Sequence, residues 1–212
     1  MLRIGLTGNI AVGKSCISAR FAELGAAVID ADRVSRELMK PGAPLYFRVA
    51  EAFGPNILFS DGTIDRRRLG GVVFASEEKR RLLESIAHPA IRDAISLEIA
   101  KKEKISNVVI VEAALLVETG GYKEYDRLIV AACPPATQIA RLIIRDGLTE
   151  REAKARIAAQ MPMDEKVSFA DYVIDTSGSL ESTLEQVDVI YRVNFRKYPG
   201  YILPPRKRAQ FQ

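Results

Sequence analysis

Five short runs of apolar residues recur along the chain and predict the strands of a sheet. The runs are "LRIGL" (2–6), "AAVID" (26–30), "NVVIVEA" (107–113), "RLIVAAC" (127–133) and "DYVID" (171–175). They are rich in Val and Ile and mostly lack strict alternation with polar residues, which is typical of strands buried on both faces. Because helical patterns separate the runs, we predict an α/β fold in which helices flank a five-stranded parallel sheet.

The clearest helical pattern directly follows the first strand. Ile17, Phe21 and Leu24 lie on one face of a helix predicted over residues 14–24. Gly25 follows this pattern and is a typical residue for ending a helix.

Two long helical intervals interrupt the series of strands. Residues 36–103 contain breaks at "KPGAP", "FGPN" and "SDGT", and we interpret them as a subdomain inserted over the edge of the sheet. Residues 137–166 are dense in Arg and Lys and separate the last two strands. The predicted organisation is one domain over 1–205 with a core (1–35, 104–136 and 167–200), the inserted subdomain (36–103), a second helical segment (137–166) and a basic tail (206–212).

The net charge of the 212-residue chain is +4, and its location decides what it implies. Six basic residues and no acidic ones lie between Arg192 and Gln212, and without these six, 25 basic residues face 27 acidic ones. The excess of basic residues therefore belongs to the last 21 residues, 192–212, rather than to the rest of the chain. This distribution favours a solvated tail over contact with RNA or an acidic protein, and we expect no nucleic-acid partner.

The apolar pattern also predicts that no segment crosses a membrane. No run approaches the roughly 18 apolar residues of a membrane helix, and the first residues do not resemble a secretory signal. Cys16 and Cys133 provide neither a disulfide framework nor metal-ligand spacing. We therefore expect a cytoplasmic protein without a membrane partner, while no sequence feature indicates its oligomeric state.

The first strand leads into "GLTGNIAVGKS" (5–15), in which Gly8 to Ser15 fit the pattern G-x-x-x-x-G-K-[ST]. A strand before this pattern and a helix starting inside it are the context of a phosphate-binding loop, or P-loop. Its backbone N–H groups and the helix N-terminus would face phosphates. We predict a P-loop NTPase fold that binds a nucleoside triphosphate, with Lys14 on the β- and γ-phosphates and the Ser15 hydroxyl on Mg²⁺. The predicted nucleotide-binding residues of the loop are Gly8, Asn9, Ala11, Val12, Gly13, Lys14, Ser15 and Cys16.

Carboxylates follow two of the other predicted strands. Ligands bind beyond the carboxyl ends of strands in open α/β sheets, so Asp30, Asp32 and Glu112 are candidate site residues. Asp30 and Asp32 would face the same way if their segment is extended. Asp32 is the candidate general base for an attacking hydroxyl, whereas either aspartate could instead cap a helix over "RVSREL". Glu112 could hold Mg²⁺ through water or could simply end its strand.

Arginines in the interval 137–166 are candidates for neutralising charge on a transferred phosphoryl group. Arg141 and Arg145 are four residues apart and would project from one face of a helix, and Arg156 follows them. We favour a mobile lid that carries these arginines over a solvated charged face.

One histidine and one basic cluster leave alternatives open. Pro89 is predicted to begin a helix, and His88 before it could cap that helix or contact a substrate phosphate. The segment "DRRRL" (65–69) could bind a negatively charged substrate or begin a helix.

Together these motifs resemble the dephospho-coenzyme A kinase family from Leu2 to Tyr191, in the same order. The similar segments are "IGLTGNIAVGKS", "VIDADRVSRELMKPG", "DGTIDRRRLGGVVF", "IAHPAI", "LLVE", "Q-x-x-R-L-x-x-R-D-G-L-T", "RIAAQMP" and "ADYVIDTSGS". A P-loop alone fits many NTPases, but "DAD", "HP" and "RL-x-x-RDGLT" together are specific.

This resemblance implies a nucleoside-monophosphate-kinase-like fold in which 36–103 is a substrate subdomain and 137–166 a lid. The implied reaction transfers the ATP γ-phosphate to the ribose 3′-hydroxyl of dephospho-coenzyme A, the last step of coenzyme A synthesis. Asp32 matches the proposed base, and Lys14 and Ser15 match the phosphate and Mg²⁺ ligands. The resemblance further implies catalytic roles for Arg141 and Arg145, nucleotide contacts for Arg141 and Thr176, and acceptor contacts for Arg36, Arg66, His88, Pro89, Leu115 and Leu116.

The chain departs from the family pattern at several positions. The family loop usually reads G-G-I-G-S-G-K-S-T, and here Asn9, Ala11, Val12 and Cys16 replace Gly, Gly, Ser and Thr. Ala114 replaces a proline after the third strand, Val117 stands where an aromatic often precedes the following Glu, and Thr176 replaces an asparagine. These changes lie in the nucleotide-binding loop and near the expected adenine position, and they remove no residue that the chemistry needs.

Two other functions stay open at this point. A P-loop kinase for another acceptor, such as a nucleoside monophosphate, would share Lys14, Ser15 and the lid but would need a different acceptor pocket across 36–103. A nucleotide-dependent binding protein without turnover is supported only by the unusual "NIAV" loop.

Overall fold

The computed structural model describes residues 1–195, in which five strands form one parallel sheet. The strands are β1 (Leu2–Thr7), β2 (Ala27–Asp30), β3 (Val108–Glu112), β4 (Arg127–Ala132) and β5 (Tyr172–Asp175). Their order across the sheet is β2-β3-β1-β4-β5. The predicted five-stranded parallel sheet with flanking helices is therefore confirmed, whereas the tail predicted at 206–212 lies outside the described residues.

Helices connect the strands and follow the last one. They are α1 (Lys14–Glu23), α2 (Ala31–Leu38), α3 (Pro44–Phe53), α4 (Arg66–Ala75), α5 (Glu77–Lys102), α6 (Pro135–Asp146), α7 (Glu150–Ala158), α8 (Met163–Val167) and α9 (Leu180–Ile190). Short 3₁₀ turns occur at Pro55–Ile57 and Gly121–Glu124, and a single π-helical turn occupies Tyr191–Phe195. Among the described residues, no helix combines the length and the apolar character needed to span a bilayer.

Strand β1 lies at the centre of the sheet because β3 and β4 pair with its two edges. Its register places Ile4 opposite Ile110 on one side and Arg127 on the other. Ile4 and Leu6 are fully buried, as the apolar run predicted. The loop that leaves β1 therefore starts from the middle of the sheet edge.

The chain divides into two compact units, one formed by Met1–Ile29 with the chain from Lys101 onward, the other by Asp30–Ala100. The first has a core of sheet and helix residues that includes Ile4, Leu6, Ile17, Phe21, Ile110, Ile129, Ile174 and Val187. The second has its own core, formed by Leu45, Val49, Ile57, Ile64, Leu69 and Ala87. The boundaries predicted for core, substrate subdomain and lid stay predictions.

In the second unit, the predicted helix start at Pro89 is wrong, and the extended conformation considered for Asp30 and Asp32 is not found. Pro89 does not begin a helix but lies inside the 26-residue helix α5, so His88 cannot cap a helix there. Proline removes one hydrogen bond of the helix, yet Ala87 and Ile91 on its two sides pack against the core and support the helix. Asp30 and Asp32 do not share an extended segment, because α2 begins at Ala31.

Candidate active site

The loop between β1 and α1 has a backbone that only particular residues permit. A Cβ at Gly8 would lie 2.5 Å from the backbone oxygen of Ala131 and 2.8 Å from Val12 Cγ2, so any side chain there collides with β4. Gly13 caps α1 with a φ of 82°, in the left-handed region that glycine adopts without strain. Glycine is therefore needed at position 8 because a side chain would collide, and it is favoured at position 13 because of the left-handed backbone.

Three consecutive N–H groups of this loop are available for the anion cradle that the sequence predicts, and that role stays a prediction. Within residues 1–195, the N–H groups of Ala11, Val12 and Gly13 donate to no protein acceptor. Lys14 folds back over the loop, and its Nζ donates to the backbone oxygens of Gly8 at 2.8 Å and Asn9 at 3.2 Å. Unsatisfied N–H groups, a helix N-terminus and an ammonium group are together suited to phosphates.

Three of the residues that depart from the family loop, Asn9, Val12 and Cys16, have side chains that contact other parts of the protein. Val12 is fully buried in the core of its unit. The Nδ2 of Asn9 donates to the backbone oxygen of Met161 at 2.9 Å, and its Oδ1 is buried without a hydrogen-bond partner among the described residues. The Cys16 thiol donates to the backbone oxygen of Gly13 at 3.0 Å. Asn9 and Val12 therefore offer a nucleotide mainly their backbone groups, whereas the Cys16 side chain is only partly buried.

Ala11 is the strained position of the loop. Its φ is 60°, and it is the only non-glycine residue with a positive φ in the described part of the chain. The left-handed conformation costs an L-residue about 1–2 kcal/mol. The backbone at this position therefore has a conformation that favours glycine, although the residue is alanine.

Arg141 on α6 is bound to the P-loop and to the end of β5. Its Nη1 donates to the backbone oxygen of Ala11 at 3.3 Å and to the hydroxyl of Thr176 at 3.2 Å, and its Nη2 donates to the backbone oxygen of Thr176. The Nη1 also lies 3.7 Å from the Sγ of Cys133, and burial raises the pKa of that thiol. The predicted nucleotide residue Thr176 is itself only 2% exposed.

Arg145, one turn further on α6, has a different environment from Arg141. Its guanidinium forms two hydrogen bonds with Asp146, from Nε at 2.8 Å and from Nη2 at 3.0 Å. Arg156 on α7 approaches the same carboxylate at 3.4 Å. The hydrogen bond from Arg145 and the charges of both arginines lower the pKa of Asp146. The two predicted lid arginines therefore have different partners. Arg141 binds the P-loop, whereas Arg145 binds the neighbouring carboxylate of Asp146.

Glu112 ends β3 against the first turns of α1. Its Oε2 accepts a hydrogen bond from the hydroxyl of Ser18, which also approaches the backbone oxygen of Lys14 at 3.2 Å. Ser15, the predicted Mg²⁺ ligand, precedes Ser18 by three residues and therefore lies on the same side of the helix. Ser15 is exposed to solvent. The second predicted Mg²⁺ residue, Glu112, is thus held beside the helix that carries the first.

In the second unit, Asp30 and Asp32 have separate positions. Asp30 is the N-cap of α2, and its Oδ1 accepts from the N–H of Arg33 at 2.8 Å. Arg36 approaches the same carboxylate at 3.5 Å. Asp32 lies exposed in the first turn of α2. The capping role therefore belongs to Asp30, and the base role of Asp32 stays a prediction.

Two of the predicted acceptor arginines lie together in the same unit. The Nη2 of Arg66 donates to the backbone oxygen of Arg36 at 3.5 Å. Partial burial and the charge of Arg36 lower the pKa of Arg66. Asp65 caps α4 through the N–H groups of Arg67 and Arg68, so the segment 65–69 does begin a helix. Within residues 1–195 no acidic side chain pairs with Arg66, and the positive charge of Arg36 acts on it, so this position suits an anionic ligand.

The remaining acceptor predictions have mixed exposure. His88 is half-buried and Pro89 exposed, both on α5. After β3, Leu115 is 50% exposed whereas Leu116 is only 7% exposed. Leu115 is therefore free to contact a ligand through its side chain, while Leu116 packs inside its unit.

Sequence reasoning missed several polar residues that hold the site together. Lys166 on α8 is fully buried, with its Nζ 2.8 Å from Glu118 and 3.0 Å from the backbone oxygen of Ala114. Gln138 and Gln160 bind the backbone of Ile10 in the P-loop. "RIAAQMP" was similar to the family, but no local pattern indicates a contact between residues 150 positions apart.

The order of the parallel strands and the P-loop after the central strand define the class of P-loop kinases. The family model "Dephospho-CoA kinase" matches residues 2–182. A dephospho-CoA kinase of Aquifex aeolicus is 47% identical over 90% of this chain and 96% of its own length. The crystal structure of TT1252 from Thermus thermophilus has a TM-score of 0.82 at 30% identity, covering 92% of this chain and 97% of that one. For the dephospho-CoA kinase of Campylobacter jejuni the TM-score is 0.63 at 29% identity, covering 90% and 95%.

The chain therefore belongs to the dephospho-CoA kinase family. It is a kinase, a phosphotransferase of the family that catalyses the final step of coenzyme A biosynthesis, and kinases of this family use ATP. The predicted family, fold and enzyme class are confirmed. The roles of the individual site residues stay predictions.

Proposed function

We propose that this chain transfers the γ-phosphoryl group of ATP to the ribose 3′-hydroxyl of dephospho-coenzyme A, giving coenzyme A and ADP. The observation that carries the donor half is the cradle of N–H groups at Ala11–Gly13 with Lys14 folded over it. The family match carries the identity of the acceptor. Dephospho-coenzyme A is accordingly the proposed small-molecule partner, with neither nucleic acid nor membrane involved, in the cytoplasm.

In the proposed reaction, Asp32 accepts the proton of the 3′-hydroxyl while that oxygen attacks the γ-phosphorus. The bond from the γ-phosphorus to the β,γ-bridging oxygen breaks, and ADP leaves. Lys14 and Arg141 stabilise the negative charge on the phosphoryl oxygens, as catalysis of phosphoryl transfer requires. The guanidinium of Arg145 is hydrogen-bonded to Asp146. We propose that Arg145 leaves Asp146 and binds the transferred phosphoryl group during the reaction.

Ser15 and Glu112 are the proposed Mg²⁺ residues. Mg²⁺ prefers oxygen ligands and usually keeps several waters beside one or two protein groups and substrate phosphates. A hydroxyl and a carboxylate on neighbouring elements fit this preference, and no cluster of three or more acidic, His or Cys residues offers a rival site in residues 1–195. The ion would neutralise charge on the β- and γ-phosphates.

We propose that the acceptor binds through both positively charged and apolar residues. Arg36 and Arg66 suit its diphosphate, because the guanidinium of Arg66 contacts the backbone of Arg36 and the charge of Arg36 lowers the pKa of Arg66. His88 is proposed as a further phosphate contact, and the other proposed contacts are Pro89, Leu115 and Leu116.

ADP release by the purified protein with Mg-ATP tests this function. Release that depends on dephospho-coenzyme A, with product phosphorylated at the ribose 3′ position, is the expected result. AMP is the matched alternative acceptor and should give no release above background. ADP release that depends on AMP but not on dephospho-coenzyme A would identify a different acceptor. No ADP release with either acceptor, from protein shown to be folded, would favour a nucleotide-binding protein without turnover.

A further inference from the structure

The P-loop residues Asn9 and Ile10 are held by hydrogen bonds from α6 and from the connector between α7 and α8. The N–H of Ile10 donates to Oε1 of Gln160 at 2.7 Å, and the backbone oxygen of Ile10 accepts from Nε2 of Gln138 at 2.8 Å. The side chain of Asn9 binds the backbone oxygen of Met161 at 2.9 Å. Asn9 and Gln138 are 2% and 1% exposed, so two of these contacts come from interior side chains.

This arrangement separates the loop into a part that the protein holds and a part left for a ligand. Ile10 directly precedes Ala11–Gly13, whose N–H groups donate to no protein acceptor within the described chain. If the peptide of Ile10 were free to rotate, the orientation of the following N–H groups would no longer be fixed. A loop ordered before the ligand arrives loses less conformational entropy on binding.

We infer that Gln160 is a positioning residue for the nucleotide. By accepting the hydrogen bond from Ile10, it fixes the loop so that the N–H groups of Ala11–Gly13 converge on the β-phosphate. An amide oxygen suits this role because it accepts a hydrogen bond without bringing a negative charge towards the phosphates. The inference requires that the loop binds a nucleotide, and it is independent of the acceptor molecule.

The test compares Gln160→Met with Gln186→Met. Methionine has a similar length and lacks the acceptor. Gln186 is a matched control because its Oε1 also accepts a backbone N–H, that of Asp175 at 2.9 Å. In Gln160→Met we expect calorimetric Kd values for ATP and ADP to rise about tenfold, the upper range for one hydrogen bond. The Kd for AMP, which lacks a β-phosphate, should rise by less than about threefold, on the same scale of hydrogen-bond energies. Gln186→Met should leave all three Kd values close to wild type.

Hydrogen exchange at the Ile10 amide and the variant Gln160→Glu separate positioning from general stability. Exchange at Ile10 should accelerate in Gln160→Met and be restored in Gln160→Glu, which keeps the acceptor. The carboxylate of Gln160→Glu should still weaken ADP binding, with a loss that shrinks as salt rises. Unchanged ADP affinity in Gln160→Met despite fast Ile10 exchange would overturn the inference. Unaltered Ile10 exchange, or equal losses for AMP and ADP, would overturn it as well.

Discussion

The hydroxyl of Thr176 donates a hydrogen bond to the backbone oxygen of Val12 at 2.8 Å, in the interior of the first unit. The same hydroxyl accepts from Arg141, and Thr176 directly follows β5. One buried threonine thus joins the P-loop, the end of the sheet and α6. This position makes Thr176 a support of the loop in addition to its predicted place near the nucleotide.

We expect Thr176→Val to lower the free energy of unfolding by about 1–3 kcal/mol, because the oxygen of Val12 would be buried without a donor. Thr176→Ser keeps the hydroxyl and should lose less. Urea denaturation of both variants measures the difference. Equal loss in the serine and valine variants would mean that packing of the methyl group, rather than the hydrogen bond, holds the loop.

Ala11→Gly should stabilise the protein by about 1 kcal/mol, because glycine adopts the left-handed φ of 60° without steric strain. Ala19→Gly is the matched control, since Ala19 is exposed in the interior of α1. There glycine should destabilise by about 0.5–1 kcal/mol. Chemical denaturation should therefore give changes of opposite sign, and two losses of similar size would contradict the strain at Ala11.

Lys14→Ala should weaken ATP binding and lower turnover by roughly 10²-fold or more, the scale for removing one group that stabilises a transition state. Lys154→Ala is the control, because Lys154 pairs with Glu150 on the surface of α7. Titration calorimetry and ADP release measure the two effects. Normal ATP affinity in Lys14→Ala would be incompatible with the phosphate cradle.

Asp32→Asn should leave ATP affinity nearly unchanged and lower turnover by roughly 10²-fold or more, the usual contribution of a general base. Asp30→Asn serves as the comparison, because asparagine keeps the N-cap of α2. Near-wild-type turnover in Asp32→Asn would refute the assignment of the base. A similar loss in both variants would point to the fold of α2 instead.

The ion pair between Arg20 on α1 and Asp188 on α9 should make stability depend on pH. Two hydrogen bonds, at 2.6 and 2.8 Å, lower the pKa of Asp188 below its usual value. Because the folded pKa is depressed, this stabilisation is present above about pH 4, the unfolded pKa, and is lost as pH falls through the folded pKa.

Asp188→Asn should therefore be less stable than wild type at pH 7, with a difference that shrinks below about pH 4. Glu23→Gln, which removes the exposed partner of Arg20, should have little effect at any pH. Urea midpoints between pH 7 and pH 3 give the comparison. A difference that stays constant down to pH 3 would exclude the ion pair as its cause.

The sequence alone predicted the features that depend on neighbouring residues. Apolar runs without alternation indicated buried parallel strands, because each strand needs two covered faces regardless of its partners. The spacing of Gly8, Gly13 and Lys14 indicated the P-loop, because the strand, the turn and the helix that form it are contiguous. The family resemblance rested on similarly local motifs.

Only the tertiary structure decided the features that depend on distant residues. Pro89 lies inside a helix because side chains far along the chain pack on both sides of it. Thr176 and Gln160 hold the P-loop through hydrogen bonds to residues 164 and 150 positions away. The energy of such a contact comes from a burial and a direction that exist only after folding, so no local pattern of residues could have predicted it.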